Sequence, residues 1–330
     1  MDNILDAGIR LILFLQSIGD WIIQPMKFFT FLGDEEFFLL VTPILYWCID
    51  TTIGIRAAVM LMFSTGIYSI GKWIFRGPRP FWISTDVKPY VFEDSFGIPS
   101  GHSQNAVTVW GIIAASFKKK WLWGVAIGLM ILIGSSRVIL SAHFPHDVFA
   151  GWILGILVLI LFIKFEPGVI KWLRGQSTLY KIGIFFGVSL AMILIGFLIL
   201  LPLRQWDLPT SWSDNAAAAF PDEDPINPLA LSSEVTVAAA FFGLASGYVL
   251  LFAGSGFNPR GLWWQLVLRY LLGVVGVLII WAGLDAVFPD GETIIAYVFR
   301  YLRYGLVGFW VTYLGPKMFL SLKLAKPSQM

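Results

Sequence analysis

Residues 71–80 read GKWIFRGPRP and place Lys72, Arg76 and Arg79 within eight positions, between two apolar stretches. Charges beside a bilayer are costly, so such a cluster either sits among headgroups or performs a task. Two further polar stretches follow. In FGIPSGHSQNAV, Pro99, Ser100, Gly101 and His102 stand at the entrance to an apolar segment. This reads as a plain helix start, or as a turn whose backbone N–H groups and helix dipole together bind an anion. In SSRVILSAHFPHDVFAG, Ser136, Arg137, His143, His146 and Asp147 gather around Pro145. With Pro145 as the first helical residue, Asp147 falls in the first turn, and its carboxylate can reach back toward His143. A carboxylate that holds one imidazole nitrogen leaves the other free as a nucleophile or base.

Taken together, Lys72, Arg79 and Arg137 supply fixed positive charge. Ser100 and the Gly101 backbone supply neutral donors, and His102 and His143 supply proton transfer and nucleophilicity. That combination describes a phosphate pocket with two-step chemistry. The three stretches contain no carboxylate cluster, so neither a metal nor any other cofactor is expected.

The elements that must position these residues are membrane helices. At 57% hydrophobic and 13% charged, the chain lies outside the range of a soluble domain. The net charge of +2 comes from basic residues in loops rather than from a stripe, so no nucleic-acid partner is expected. The single cysteine, Cys48, can build neither a disulfide framework nor a thiolate metal cluster within one chain. The N-terminal stretch, with Asp2 and Asp6 where a signal peptide would be basic, reads as retained.

A spanning helix needs about 20 apolar residues. That length predicts a weak segment at 8–32, which either spans or lies flat in the interface. Stronger segments follow at 35–50, 53–75, 99–117, 121–142, 146–164, 180–203, 229–253, 262–288 and 292–314. The expected fold is an all-α polytopic transmembrane bundle of nine or ten spans, with no internal repeat and no strand alternation. Lysine and arginine in short loops favour the cytoplasm. Lys118, Lys119 and Lys120, the basic loop from Lys164 to Lys181, and Lys317, Lys323 and Lys326 are therefore expected inside, with a cytoplasmic C-terminus. The three polar stretches and the acidic 204–228 loop are then expected outside.

Lys72 with Arg79-Pro80, then Pro99-Ser100-Gly101-His102, then Ser136-Arg137 with His143 and Asp147 resemble the three signature motifs of the type 2 phosphatidic acid phosphatase (PAP2) superfamily of integral membrane phosphatases. The resemblance covers roughly the first half of the chain. It implies that His143 attacks phosphorus and carries a phosphohistidine, that Asp147 orients it, and that His102 protonates the leaving oxygen and then helps activate water. It implies that Lys72, Arg79, Ser100, Gly101 and Arg137 bind the phosphate, without metal. Arg76 and His146 fall outside the motifs, as a headgroup contact and a solvent-facing or supporting residue. Phe81 and Trp82 are read as an interfacial aromatic belt in preference to a mouth for a lipid chain.

Local wording resembles both glucose-6-phosphatase and sphingosine-1-phosphate phosphatase. A lipid phosphate or diphosphate is the leading substrate, and a soluble sugar phosphate the alternative. A transporter or a vanadium haloperoxidase ranks lower, because the polar clusters gather at one face rather than at the midplane and because the chain is membrane-embedded. The expected organisation is an N-terminal amphipathic or membrane helix (1–34), a catalytic membrane domain (35–177) and a four-helix membrane extension (178–330). In the extension, Arg269, Arg300 and Arg303 are expected to find Glu234 and Asp285 as partners. The substrate and the membrane are the expected partners, and homo-oligomerisation is left open.

Overall fold

The computed structural model describes residues 2–328. Met1, Gln329 and Met330, the ends of the expected first and last domains, lie outside the described residues. The described chain is helical, with one isolated bridge between Asn258 and Lys326 and no strand. Its α-helices are α1 Asp2–Gln16, α2 Ile23–Phe31, α3 Glu35–Ile44, α4 Thr51–Phe75, α5 Pro80–Ile83, α6 Gly101–Asn105, α7 Gly111–Phe117, α8 Lys120–Ile139, α9 Pro145–Arg174, α10 Thr178–Leu200, α11 Thr210–Ala219, α12 Ser232–Ala253, α13 Trp263–Asp285, α14 Ile294–Phe309 and α15 Gly315–Ser321.

Among the described residues, seven helical stretches are long and apolar enough to cross a membrane, where the sequence predicts nine or ten spans. The three remaining segments are interrupted or short. Segment 8–32 breaks at Gly19, whose φ of 120° separates α1 from α2. Segment 35–50 contains Pro43 and ends in a π turn at Leu45–Ile49. Segment 99–117 is helical only over Gly101–Phe117, where α6 and α7 run together through a π turn at Ala106–Trp110, and is too short to count. Hydropathy counts apolar residues but does not register where the hydrogen-bond ladder changes pitch.

The described residues form two units. The first takes in residues up to Phe37, Ile67–Ile160 and Phe197–Ala230, and it holds all the polar motifs. Here α2 lies against the end of α8 through Ile23, Met26, Ile139 and Leu140, with Tyr90 and Val91 of the loop between α5 and α6 packed alongside. Helix α9 meets the start of α6 so closely that a Cβ on Gly151 would stand 2.5 Å from the Ser100 carbonyl oxygen. Only glycine permits that approach.

Phe81 and Trp82, expected as an interfacial belt, are 1% and 0% exposed. The segment after α10 folds over them. Trp82 packs on Phe96 and Trp212, and Phe81 on Phe220. The Arg76 guanidinium lies 5.7 Å from the Trp206 ring centroid in the same cover.

The second unit comprises Phe38–Gly66, Leu161–Gly196 and the described residues from Leu231 onward. Its buried Arg269 donates to the carbonyls of Leu324, Trp47, Pro259 and Arg260, and Arg303 pairs with Asp285. Arg56 grips Glu166 with two 2.7 Å hydrogen bonds. The expected pairing of an arginine with Glu234 is not made. Glu234 is fully buried with neither carboxylate oxygen hydrogen-bonded, and Arg300 reaches only Thr236 Oγ1, at 3.5 Å.

Candidate active site

The motif residues of the first unit collect at helix ends. Lys72 sits in the last turn of α4, Arg79 just before α5, Arg137 in the last turn of α8, and His143 just before α9. Arg79 is fully buried, and its fork organises the centre. Nε donates to Ser95 O at 2.5 Å, Nη1 to Ala142 O at 2.8 Å, and Nη2 to Glu93 Oε2 at 3.1 Å. Arg137, 1% exposed, donates to Thr30 Oγ1 at 2.5 Å and to the other oxygen of Glu93. Lys72 Nζ donates to Ser95 Oγ at 2.7 Å.

Two arginines thus share one carboxylate, with a lysine one hydroxyl away. Glu93 keeps 19% side-chain exposure. Burial would push its carboxyl upward, but Arg79 and Arg137, helped by His102 and Lys72, hold it well below the usual carboxylate range.

His143 lies on the turn between α8 and α9. That turn is closed by the Ala142 and His143 amides, both donating to Arg137 O at 3.0 and 3.1 Å. Arg79 Nη1 stands 3.3 Å from His143 Nε2. A guanidinium can only donate, so Nε2 faces it with a lone pair. The other ring nitrogen, Nδ1, lies 3.4 Å from Asp147 Oδ2, which also accepts the Phe144 amide at 2.9 Å. The carboxylate therefore caps the start of α9 and fixes the Nδ1–H tautomer in one contact. Burial, then Arg79 and Arg137, hold the His143 imidazole well below its ordinary pKa, so the ring is neutral and its Nε2 lone pair unprotonated. His146 Nε2 lies 3.3 Å from Asp147 Oδ1, and the His146 ring stacks on Phe144.

Ser100 is buried as the N-cap of α6. Its hydroxyl accepts from Ser103, and its amide donates to Asp147 O at 3.0 Å. Gly101 lies against the Tyr68 ring, over which Lys72 Nζ also sits, 5.2 Å from the centroid. Neither Ser100 nor Gly101 hydrogen-bonds to the Arg79–Glu93–Arg137 group; Ser100 joins the site through Asp147 and Gly101 through Tyr68. His102, one residue into α6, pairs through Nε2 with Asp34 Oδ1.

Sequence reasoning thus named Lys72, Arg79, Ser100, Gly101, His102, Arg137, His143 and Asp147, and it missed Glu93, Ser95, Thr30 and Asp34. Glu93 and Ser95 lie in a loop that reads as ordinary outer-loop polarity. Thr30 and Asp34 precede the motifs, at the edge of a weak apolar segment, and nothing in their spacing marks them.

The sequence profile of the PAP2 superfamily matches residues 53–171, and that of the transmembrane extension of PAP2 superfamily phosphatases matches residues 235–327. The chain is 29% identical over 247 residues to glucose-6-phosphatase 3 of Bos taurus, covering 67% of this chain and 68% of that protein. It is 32% identical over 165 residues to phosphatidylglycerophosphatase B of Bacillus subtilis (strain 168), covering 45% of this chain and 77% of the other. With sphingosine-1-phosphate phosphatase 1 of Mus musculus it shares 23% identity over 315 residues, covering 88% of this chain and 70% of that protein.

Proposed function

The chain belongs to the PAP2 superfamily of phosphatases, and on that premise we propose that it hydrolyses the phosphate monoester or diphosphate of a membrane lipid through a phosphohistidine on His143. One observation carries the reading. Buried Arg79 and Arg137 converge on the two oxygens of one carboxylate, beside a histidine whose lone pair faces Arg79 at 3.3 Å. A cradle that holds the Glu93 oxyanion has the charge and the fork geometry for a phosphoryl group, which takes the place of Glu93 when substrate enters.

In the first step His143 Nε2 forms a bond to phosphorus, and the P–O bond to the lipid breaks. The electron pair stays on the leaving oxygen, which takes a proton from His102. Asp147 offsets the charge that develops on the His143 ring. In the second step His102 takes a proton from water, which attacks phosphorus and releases His143. Lys72, Arg79 and Arg137 neutralise the transferring oxygens, the electrostatic work a metal ion performs elsewhere, with the Ser100 hydroxyl and the Gly101 amide as further donors.

Lys72, Arg137 and His143 sit at the ends of helices long and apolar enough to cross a membrane, a placement that suits a lipid headgroup and supports a lipid substrate. The loop charges support a site facing the extracytoplasmic side with a cytoplasmic C-terminus. The catalytic domain is assigned to residues 35–177 and the extension to the chain after it. A sugar phosphate is the second reading, favoured by the glucose-6-phosphatase 3 relative.

Purified protein assayed with phosphatidate, sphingosine 1-phosphate, a polyprenyl diphosphate and glucose 6-phosphate tests the choice. A lipid is expected to show the highest kcat/KM. Glucose 6-phosphate turned over as well as every lipid overturns the lipid reading but not the chemistry.

A further inference from the structure

The N-terminal segment, before the region that matches the PAP2 profile, contributes directly to the site. The α2–α3 turn is tight, with the Gly33 amide donating to Thr30 O at 2.8 Å and the Asp34 amide to Phe31 O at 3.1 Å. Gly33 is pressed into the site wall. A Cβ there would stand 2.6 Å from Ile133 Cγ2 on α8 and 3.5 Å from His102 Cδ2. The packing of α2 on α8 through Ile23, Met26, Ile139 and Leu140 fixes where this turn falls. The turn then presents two side chains inward. Thr30 Oγ1 accepts from Arg137, and Asp34 Oδ1 meets His102 Nε2.

We infer that Asp34 is the positioning residue for His102, forming a second carboxylate–histidine pair beside that of Asp147 and His143. The inference rests on the general-acid role proposed above for His102. A histidine that delivers a proton needs one nitrogen aimed at the leaving oxygen and the ring held in one rotamer and one tautomer. Asp34 fixes Nε2 as the bonded nitrogen, which leaves Nδ1 for the leaving group. When Nδ1–H passes its proton to the departing oxygen, the P–O electron pair becomes the new O–H bond, and Asp34 keeps its charge. The Asp34 carboxylate also offsets the positive charge of the protonated ring, since both side chains are only partly exposed, at 29% and 19%. Asp147 is engaged elsewhere, its Oδ2 meeting His143 Nδ1 and the Phe144 amide, whereas the carboxylate bonded to His102 is that of Asp34.

The test uses leaving-group dependence, which a merely structural role would not move. Release of the first leaving group in a single turnover is followed with phosphatidate, whose alkoxide needs a proton, and with p-nitrophenyl phosphate, whose phenolate hardly does. Asp34→Asn is expected to slow phosphatidate cleavage by about tenfold or more, a part of the roughly 10²–10⁴-fold that a positioned acid supplies, while changing p-nitrophenyl phosphate cleavage by less than about threefold. Asp34→Glu should recover part of the phosphatidate rate. In a His102→Ala background, Asp34→Asn should add nothing.

Equal loss with both substrates, or additive loss in the double variant, overturns the assignment. If Asp34→Asn does not fold, Asp34→Glu decides, because its deficit must fall on phosphatidate alone. A His102→Ala protein that fails to discriminate between the substrates would instead refute the general-acid reading. Discrimination by His102→Ala without any by the Asp34 variants refutes only the role of Asp34.

Discussion

Replacing Asp147 by Asn separates orientation from charge at His143, the proposed nucleophile. The Phe144 amide donates at 2.9 Å to Asp147 Oδ2, the same atom that lies 3.4 Å from His143 Nδ1. An asparagine in this place must turn its oxygen, not its NH2, toward the Phe144 amide, because two donors would otherwise face each other. The Nδ1–H tautomer therefore survives, and the loss is that of a charge. A full positive charge on the ring about 4 Å from a carboxylate is worth about 4 kcal/mol at an effective dielectric of about 20. A half-developed charge in the transition state is worth about 2 kcal/mol. At about 1.4 kcal/mol per decade, these values bracket a loss of about 30- to 1,000-fold in phosphoenzyme formation. That is smaller than the ~10⁴-fold loss found where a comparable substitution imposes the wrong tautomer. Rapid-quench measurement of the phosphoenzyme burst with p-nitrophenyl phosphate at pH 8, with the thermal midpoint monitored in parallel, checks it. A loss under about fivefold would remove Asp147 from ring stabilisation. A loss beyond ~10⁴ in a folded protein would refute the argument that Phe144 fixes the amide.

Glu93→Gln keeps the shape of the cradle while removing its counter-charge, so inorganic phosphate or vanadate should bind about tenfold tighter, the worth of one charge-assisted hydrogen bond. Weaker binding in an inhibition assay contradicts the idea that Glu93 holds the phosphate position. His143 should remain neutral well below pH 6.5, because burial and two arginines disfavour its protonation and the neutral ring is the reactive form. A His102→Asn/His146→Asn protein leaves one histidine to titrate by NMR, and a midpoint at or above 6.5 contradicts this electrostatic picture. In a Cys48→Ala background, a cysteine at exposed Asp214 should react with an impermeant reagent in intact cells and one at Lys119 should not; the reverse pattern inverts the topology. Activity should survive EDTA and be blocked by vanadate, since three cationic side chains carry the charge stabilisation; loss in EDTA that magnesium restores would contradict the mechanism.

The parts of the fold and site that were legible in the sequence share one property: they are polar residues where the apolar background makes polarity expensive. Lys72, Arg79, Arg137 and His143 stand at the ends of apolar runs, and each sits there at a helix terminus, nearly or fully buried. The reach of Asp147 back over the start of α9 was legible because a proline at the first helical position fixes the register of the turn. Helix ends and breaks were not legible to the residue, since a break at Gly19 or a run confined to Gly101–Phe117 leaves the apolar composition of the segment unchanged.

The missed acids show the complementary limit. Asp34 and Glu93 lie in segments where acids carry no cost, so their sequence context looks the same whether they face solvent or a buried cation. Their role is set by distance in space. Asp34 is 68 residues from His102, and Glu93 is 44 from Arg137. Glu234 is the opposite case. Its position inside an apolar helix suggested an arginine partner, but Arg303 turns instead to Asp285, and Glu234 stays buried without a hydrogen bond. Sequence identifies which charges are costly. Whether the partner is another residue of this chain or an incoming ligand depends on packing, and at Arg79 and Arg137 the cradle that holds the Glu93 carboxylate is the one proposed to receive a phosphoryl group.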